Sequence, residues 1–196
     1  MPANIADAVP RLKRLIPRLR GKRIGVLGDL MLDRYLWGTA SRLSPEAAVP
    51  IVDFVEQSEC LGGAGNVAAN ISTLGGEVEA FGVIGNDEAG RALQKCLSAA
   101  NIAAKGIIAD SKRVTTVKTR IIARHQQVVR VDHERRESLR AETQEKLLRR
   151  SLVPDRQSIL MTDSNMKVLR ADTDLPADSA QVPLEIRRMF HNADQV

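Results

Sequence analysis

Aromatic residues are scarce in this chain, which has one Trp, one Tyr and three Phe among 196 residues. Its core must therefore be mainly aliphatic, and such a core suits a β-sheet covered by helices. Hydrophobic residues make up 43% of the chain, which is within the globular range and excludes wholesale disorder. Because aromatic side chains are the platforms on which unpaired bases stack, single-stranded nucleic acid is not an expected partner.

Cysteines are equally few, since Cys60 and Cys96 are the only two. No CxxC pair or Cys/His cluster is present, so the sequence does not support a zinc site. Two isolated thiols fit a reducing, cytoplasmic location better than a disulfide framework. Long apolar runs are also missing. Ala8–Leu19 mixes basic and apolar residues with two prolines, which predicts a helix packed on the domain, with weak membrane contact as the lesser alternative.

Negative charge is in slight deficit, with 24 acidic against 29 basic residues and a net charge of +5. Much of the positive charge lies in Arg11–Arg23 and in the region Arg135–Arg150, which also contains Glu. The mixed run is more typical of a solvated helix face than of a nucleic-acid site. We therefore expect neither nucleic acid nor a membrane as a partner.

Apolar runs and helical periodicities alternate along the chain and predict an open, mainly parallel α/β sheet flanked by helices. Leu30–Pro50 is rich in turn residues and predicts a loop, and Asn165–Val196 has little periodicity apart from one possible helix at Leu184–His191. The predicted strands are Lys22–Leu27, Val49–Val55, Val78–Ile84, Ala104–Ala109, a pair within Thr115–Val131 joined around Arg124–Gln127, and Ser158–Met161. The predicted helices are Asn66–Leu74, Asp87–Ala100 and Glu134–Arg150.

Two features near the first helix are candidates for ligand binding. Gly62 and Gly63 precede a helix that contains Asn66 in its first turn, and glycines with free helix amides can approach sugar hydroxyls or a phosphate. A plain glycine-rich turn explains this pattern about as well. Asp29 ends the first strand and Asp33 follows it, where carboxylates can accept hydrogen bonds from a ligand at the carboxyl edge of a sheet. The alternative is a turn or capping Asp.

Three cations occur in the predicted strand pair. Lys118, Arg120 and Arg124 have the even spacing that places side chains on one face of a strand, where they would suit a phosphate or another acidic group. The alternative is an exposed edge strand protected by charge. His125 and His133 have no evident catalytic partner in the sequence.

These motifs together resemble the ribokinase-like (PfkB) carbohydrate kinases. Gly62-Gly63-Ala64-x-Asn66-x-Ala68, six residues, Gly75, nine residues and Gly85 is similar to the amino-terminal signature of that family. The segments Gly28–Gly38, Arg42–Val52, Leu61–Gly76 and Thr115–Glu134 resemble kinases of D-glycero-β-D-manno-heptose 7-phosphate. Those kinases form a domain of bifunctional kinase/adenylyltransferases that make a lipopolysaccharide core precursor.

The resemblance implies an ATP- and Mg²⁺-dependent sugar-phosphate kinase with a small β lid near residues 35–57 and 112–132, through which such kinases often dimerise. It implies that Asp29, Asp33, Gly62, Gly63 and Asn66 hold the sugar, and that Lys118, Arg120 and Arg124 suit its phosphate. The expected organisation is a basic extension at 1–21, the amino-terminal part of the kinase domain at 22–163 and a divergent tail at 164–196.

One family feature is missing from the sequence. The family's catalytic Gly-Ala-Gly-Asp motif does not occur, and no glycine follows Gly106. A glycine-rich phosphate cradle is therefore not available after that position. Asp163 lacks the glycines and the following helix that a catalytic base of this family has. We expect no catalytic residue, a missing nucleotide site and little turnover by this chain alone. The alternative is an inactive sugar-binding or dimerisation module.

Overall fold

The computed structural model of the chain describes residues 9–10, 13–151, 158–162 and 168–172. These residues form a five-stranded sheet and a four-stranded sheet that have no strand in common. The strands are β1 (Arg23–Gly28), β2 (Leu30–Leu43), β3 (Pro50–Gly63), β4 (Glu77–Gly85), β5 (Ala103–Asp110), β6 (Thr116–Ala123), β7 (Gln126–His133), β8 (Ser158–Thr162) and β9 (Val168–Asp172). The α-helices are α1 (Ala64–Thr73), α2 (Glu88–Ala99) and α3 (Ala141–Ser151).

The larger sheet has the strand order β5-β4-β1-β8-β9. All of its pairings are parallel except that of β8 with β9. Its two faces are covered differently, because neighbouring residues of β1 point to opposite sides. Val26 belongs to the core that includes residues of α1 and α2, whereas Leu27 packs with Phe81 and with Leu147 of α3. The α/β prediction with a mainly parallel sheet between helices is confirmed.

The smaller sheet, which we call the lid, has the order β3-β2-β6-β7. Strand β2 runs antiparallel to β3 from Leu30↔Gly63 to Leu43↔Pro50, with irregular register near Trp37 and Gly38. It runs parallel to β6, and β6 forms an antiparallel hairpin with β7. Because β2 starts two residues after β1 ends, the lid rises directly from the carboxyl edge of the larger sheet.

Three predictions of secondary structure were wrong. Leu30–Pro50 is mostly strand β2, because pairing with β3 and β6 imposes an extended backbone on a segment with turn-forming residues. The charged helix begins at Ala141 and not at Glu134. Part of the predicted tail, Val168–Asp172, forms strand β9.

The amino-terminal segment is helical at 9–10 and 13–15 and continues as a short 3-10 helix, Ile16–Leu19, which buries no residue. Leu19 is half-buried and the other described residues of the segment are exposed, so the predicted packing on the domain is limited to this end of it. Asp163 and the predicted helix Leu184–His191 lie outside the described residues. Within the described residues, none of the helices combines the length and the apolar character needed to cross a bilayer.

Candidate functional site

A glycine turn joins the lid to helix α1. The amide of Ala64 donates a hydrogen bond to the carbonyl oxygen of Asp29 at 2.9 Å, which holds the end of β3 against the end of β1. Gly63 has a φ of +54°, and a Cβ there would collide with the same carbonyl and lie 2.8 Å from Met31 Cε. Glycine is therefore required at this position by both backbone conformation and space.

The carboxylate of Asp33 occupies the space that Gly62 leaves open. A Cβ on Gly62 would lie 2.9 Å from Asp33 Cγ. On the next strand, Arg120 Nη1 lies 2.7 Å from Asp33 Oδ1, and both side chains are largely buried. The contact is short but poorly aligned for a hydrogen bond, so it is best described as an ion pair. It raises the pKa of the Arg120 guanidinium against the opposing effect of desolvation. Asp33 is thus held beside the glycine turn.

The amino-terminal turn of α1 contributes the remaining polar groups. Gly63 is the N-cap residue, and the helix has no side-chain cap. The first amides of a helix have no intrahelical acceptor, and the helix dipole favours electron-rich ligands at this end. Half-buried Asn66 lies in this turn. The structure therefore brings Asp29, Asp33, Gly62, Gly63 and Asn66 around one turn.

Lys118 is the available cation of the neighbouring strand. It pairs in register with Asp33 on β2 and with Asp132 on β7, so all three lie in one cross-strand row. Asp132 accepts both hydrogen bonds of Arg130, at 2.8 and 2.9 Å. Among the described residues, the Lys118 ammonium has neither an ion pair nor a hydrogen bond, whereas Arg120 is committed to Asp33. Lys118 can therefore accept an anionic ligand without breaking an existing contact.

Arg124 does not share this face, and that part of the sequence interpretation was wrong. Strand β6 ends at Ala123, and Arg124 and His125 have φ values of +49° and +64°. Two consecutive left-handed residues form the tight turn typical of a two-residue hairpin. Arg124 is consequently exposed at the tip of the hairpin. Arg124 follows Arg120 by four residues. At a strand rise of about 3.3 Å per residue, its backbone lies roughly 13 Å farther from the glycine turn than that of Arg120.

Tyr35 and Trp37 are two residues on this face that the sequence interpretation missed. They alternate with Asp33 along β2, and their rings stack with centroids 6.0 Å apart and planes inclined by 18°. The guanidinium carbon of Arg120 lies 5.4 Å from the centre of the Tyr35 ring. The signal was available in the even spacing of positions 33, 35 and 37. It was overlooked because the segment was interpreted as a loop.

A second polar cluster fixes the base of the lid. Asp87 caps α2 by accepting from Gly90 N at 2.7 Å, and it also accepts from Thr115 N at 2.8 Å and Thr115 Oγ1 at 2.7 Å. Burial opposes ionisation, but these hydrogen bonds outweigh it and hold the pKa of Asp87 below its usual range. Gly85 belongs to the same cluster, because its amide donates to Thr115 Oγ1 at 2.9 Å. The cluster links the end of β4 to the start of β6.

Comparison with known proteins agrees with this arrangement. Residues 22–177 match the pfkB family carbohydrate kinases. The chain belongs to this family. A relative from Pelobacter propionicus, named bifunctional protein HldE, is 45% identical over 136 residues, which are 69% of this chain and 28% of that protein. The chain spans less than a third of the length of the curated relatives it matches.

Solved structures show the same fold. A carbohydrate kinase from Agrobacterium tumefaciens superimposes with a TM-score of 0.55 at 23% identity, covering 87% of this chain and 51% of that one. Arabidopsis thaliana ribokinase, solved in complex with ribose and ATP, gives a TM-score of 0.50 at 14% identity over 72% of this chain and 45% of that one. At these identities the likeness establishes the fold of this pfkB-family chain and nothing about its ligands.

Proposed function

We propose that this chain is the sugar-binding part of an ATP-dependent kinase that phosphorylates D-glycero-β-D-manno-heptose 7-phosphate at its anomeric position. That reaction would serve the synthesis of a lipopolysaccharide core precursor in the cytoplasm, a location that also suits two free cysteines. The observation that carries the proposal is the position of Lys118 next to the Asp33–Arg120 pair and the Gly62 turn. Among the described residues, the Lys118 ammonium has no partner. Acceptors for hydroxyls and a cation for phosphate thereby lie on one face.

Each group has a role in this proposal. The carboxylates of Asp29 and Asp33 accept hydrogen bonds from sugar hydroxyls, and Asn66 with the first amides of α1 adds donors. Arg120 orients Asp33, and Lys118 binds the phosphate already present on the sugar. The proposal assigns no residue to ATP or Mg²⁺. Within the described part of the chain, no group of three His, Cys, Asp or Glu side chains is placed to hold a metal ion.

Calorimetric titration with the heptose 7-phosphate tests the proposal. Hydrogen bonds to charged groups contribute about 1.5–3 kcal/mol, so Lys118→Met should weaken binding roughly 10- to 100-fold. Lys105→Met is the matched control, because Lys105 is an exposed strand lysine far along the larger sheet. Equal binding by both variants and the parent chain would refute the phosphate role of Lys118. Absence of any sugar-phosphate binding by the parent chain would refute the proposed function.

A separate titration with ATP and Mg²⁺, together with an assay for ADP release, tests the nucleotide side. We expect sugar binding without appreciable ATP consumption by this chain alone. Robust ATP consumption that depends on the heptose 7-phosphate would contradict the expectation that the nucleotide site is missing.

We also propose that the lid pairs two copies of the chain. Its face opposite Lys118 exposes apolar side chains, among them Val129 at 46% and Val131 at 53% exposure. Strands β3 and β7 are the edges of the lid and offer unpaired backbone groups for strand addition. Apolar exposure of this kind is typical of interaction surfaces.

Sedimentation velocity over a range of concentrations tests the pairing. Val131→Lys introduces a charge on the exposed face and should shift the chain towards the monomer, whereas Lys105→Met should not. A parent chain that stays monomeric at the highest concentration would refute the pairing, and it would leave the sugar proposal unaffected.

A further inference from the structure

The aromatic residues of this chain are unevenly distributed. Its only Tyr and its only Trp are two residues apart on the same face of β2. Trp37 is 41% exposed although it carries the largest apolar side chain in the protein. A pair that served only to pack the lid would be expected to lie in the core, where burial of an aromatic ring contributes most.

Specific contacts hold both rings in position. Trp37 Nε1 donates a hydrogen bond to Ser58 Oγ on β3 at 3.1 Å, which fixes the orientation of the indole. The Arg120 guanidinium lies 5.4 Å from the centre of the Tyr35 ring while it also pairs with Asp33. The two rings stack on each other at 6.0 Å. The aromatic surface is therefore ordered before any ligand arrives, which lowers the entropic cost of binding.

The chemistry of the surrounding face indicates which ligand these rings suit. The face of Trp37 carries Asp33, Lys118 and Arg120. The opposite face combines the Arg34–Glu59 ion pair with exposed valines. A second protein copy would better match the apolar face. A phosphorylated sugar matches the charged and aromatic face, because it presents hydroxyls, an anionic group and a patch of C–H bonds. Aromatic rings attract such positively polarised hydrogens through the negative potential of their faces.

We propose that Tyr35 and Trp37 form an aromatic platform on which the carbon face of the phosphorylated sugar lies, between Asp33 and the outer part of the lid. The inference rests on the proposed sugar-binding function and adds the residues that select a sugar over a bare phosphate. If this proposal is correct, affinity for the sugar phosphate depends on the Tyr35 and Trp37 rings, whereas affinity for inorganic phosphate depends on Lys118 alone.

Titrations of inorganic phosphate and of the heptose 7-phosphate into the whole chain separate these contributions. Aromatic contacts are worth about 0.5–1.5 kcal/mol beyond buried area, so Trp37→Leu should weaken sugar-phosphate binding roughly 2- to 13-fold and leave phosphate binding unchanged. Trp37→Phe should retain most of the affinity for the sugar phosphate. Phe54→Leu is the matched control, since Phe54 is an aromatic residue of the lid with 65% exposure that pairs with Gly38. Circular dichroism verifies that each variant folds.

Fluorescence of the single Trp gives an independent measurement. The heptose 7-phosphate should shift the Trp37 emission, and inorganic phosphate should not. If the parent chain binds the sugar phosphate but Trp37→Leu binds it equally well and the emission is unchanged, the platform is refuted and the sugar proposal stands. If the parent chain binds no sugar phosphate, both fail. An emission change that follows protein concentration instead of ligand would assign Trp37 to contact between copies and would also refute the platform.

Discussion

Thr115→Val should destabilise the protein substantially, although it changes neither size nor shape. Thr115 is 1% exposed, and its hydroxyl donates to Asp87 Oδ1 at 2.7 Å while accepting from Gly85 N at 2.9 Å. Valine removes both bonds at once. The carboxylate of Asp87 loses one of its donors, and the buried amide of Gly85 loses its acceptor.

The magnitude follows from those two losses. A hydrogen bond to a charged group contributes about 1.5–3 kcal/mol, and a buried donor without an acceptor costs about 1–3 kcal/mol. The two effects overlap because both depend on one hydroxyl, so we expect a loss of about 3 kcal/mol. With an m-value of about 2 kcal/mol per molar urea, the unfolding midpoint should fall by about 1.5 M.

Urea unfolding followed by far-UV circular dichroism measures this change. Thr39→Val is the matched control, because Thr39 is an exposed strand residue and its replacement should stay within about 0.5 kcal/mol of the parent. If Thr115→Val also stays within that margin, the reasoning that the Asp87 cluster holds the base of the lid is refuted.

Two further predictions concern charge and backbone. Arg140 and the amide of Lys112 hold the pKa of Asp110 below its usual range, so its contribution to stability is present above about pH 4 and is lost as pH falls through the lower, folded-state pKa. Asp110→Asn should therefore flatten the dependence of melting temperature on acid pH, and parallel curves for variant and parent would contradict this. Gly63→Ala should destabilise far more than Gly21→Ala, since both have positive φ but only at Gly63 would the Cβ meet a backbone oxygen. Equal melting temperatures for the two variants would contradict this prediction, because they would show that the backbone shifts to relieve the contact between the new Cβ and the Asp29 carbonyl oxygen.

Most of the larger sheet could be predicted from sequence because its signals are local. The apolar run of β1 and the periodicities of α1 and α2 each extend over a few residues and end at glycines or caps. The predicted helix Asp87–Ala100, for example, corresponds to α2, with Asp87 as the N-cap that accepts the hydrogen bond of Gly90 N at 2.7 Å. Such elements are determined by residues that are close in sequence, so local sequence patterns are sufficient to predict them.

The family resemblance implied a lid near residues 35–57 and 112–132, but local sequence patterns predicted its strands less well because distant pairing determines them. Strand β2 is extended through its register with β3, which brings Leu30 opposite Gly63 and Leu43 opposite Pro50. The shortened helix α3 has a similar cause. Arg113 donates to the carbonyl oxygens of Arg135 and Glu137 at 3.1 and 2.8 Å, which holds these residues outside the helix that their composition favours.

The candidate site combines both kinds of information. Asp33 was a candidate because it follows the first strand, and Gly62 because it precedes a helix. The pairing of Arg120 with Asp33 and the departure of Arg124 from the face required the structure. Spacing along a strand indicates which side chains can share a face. It does not indicate where the strand ends, and here it ends one residue before Arg124.

The glycine pattern from Gly62 to Gly85 has two physical roles, and only one of them concerns the candidate ligand site. Gly62 and Gly63 leave space for Asp33 and for the carbonyl of Asp29 at the candidate site, whereas Gly85 closes against Asp87 and Thr115 at the base of the lid. Gly85 therefore reports how the two sheets are joined, whatever the chain binds. The choice of ligand must come from residues outside the pattern. In our proposals these are Lys118 for the phosphate and the Tyr35–Trp37 pair for the sugar that carries it.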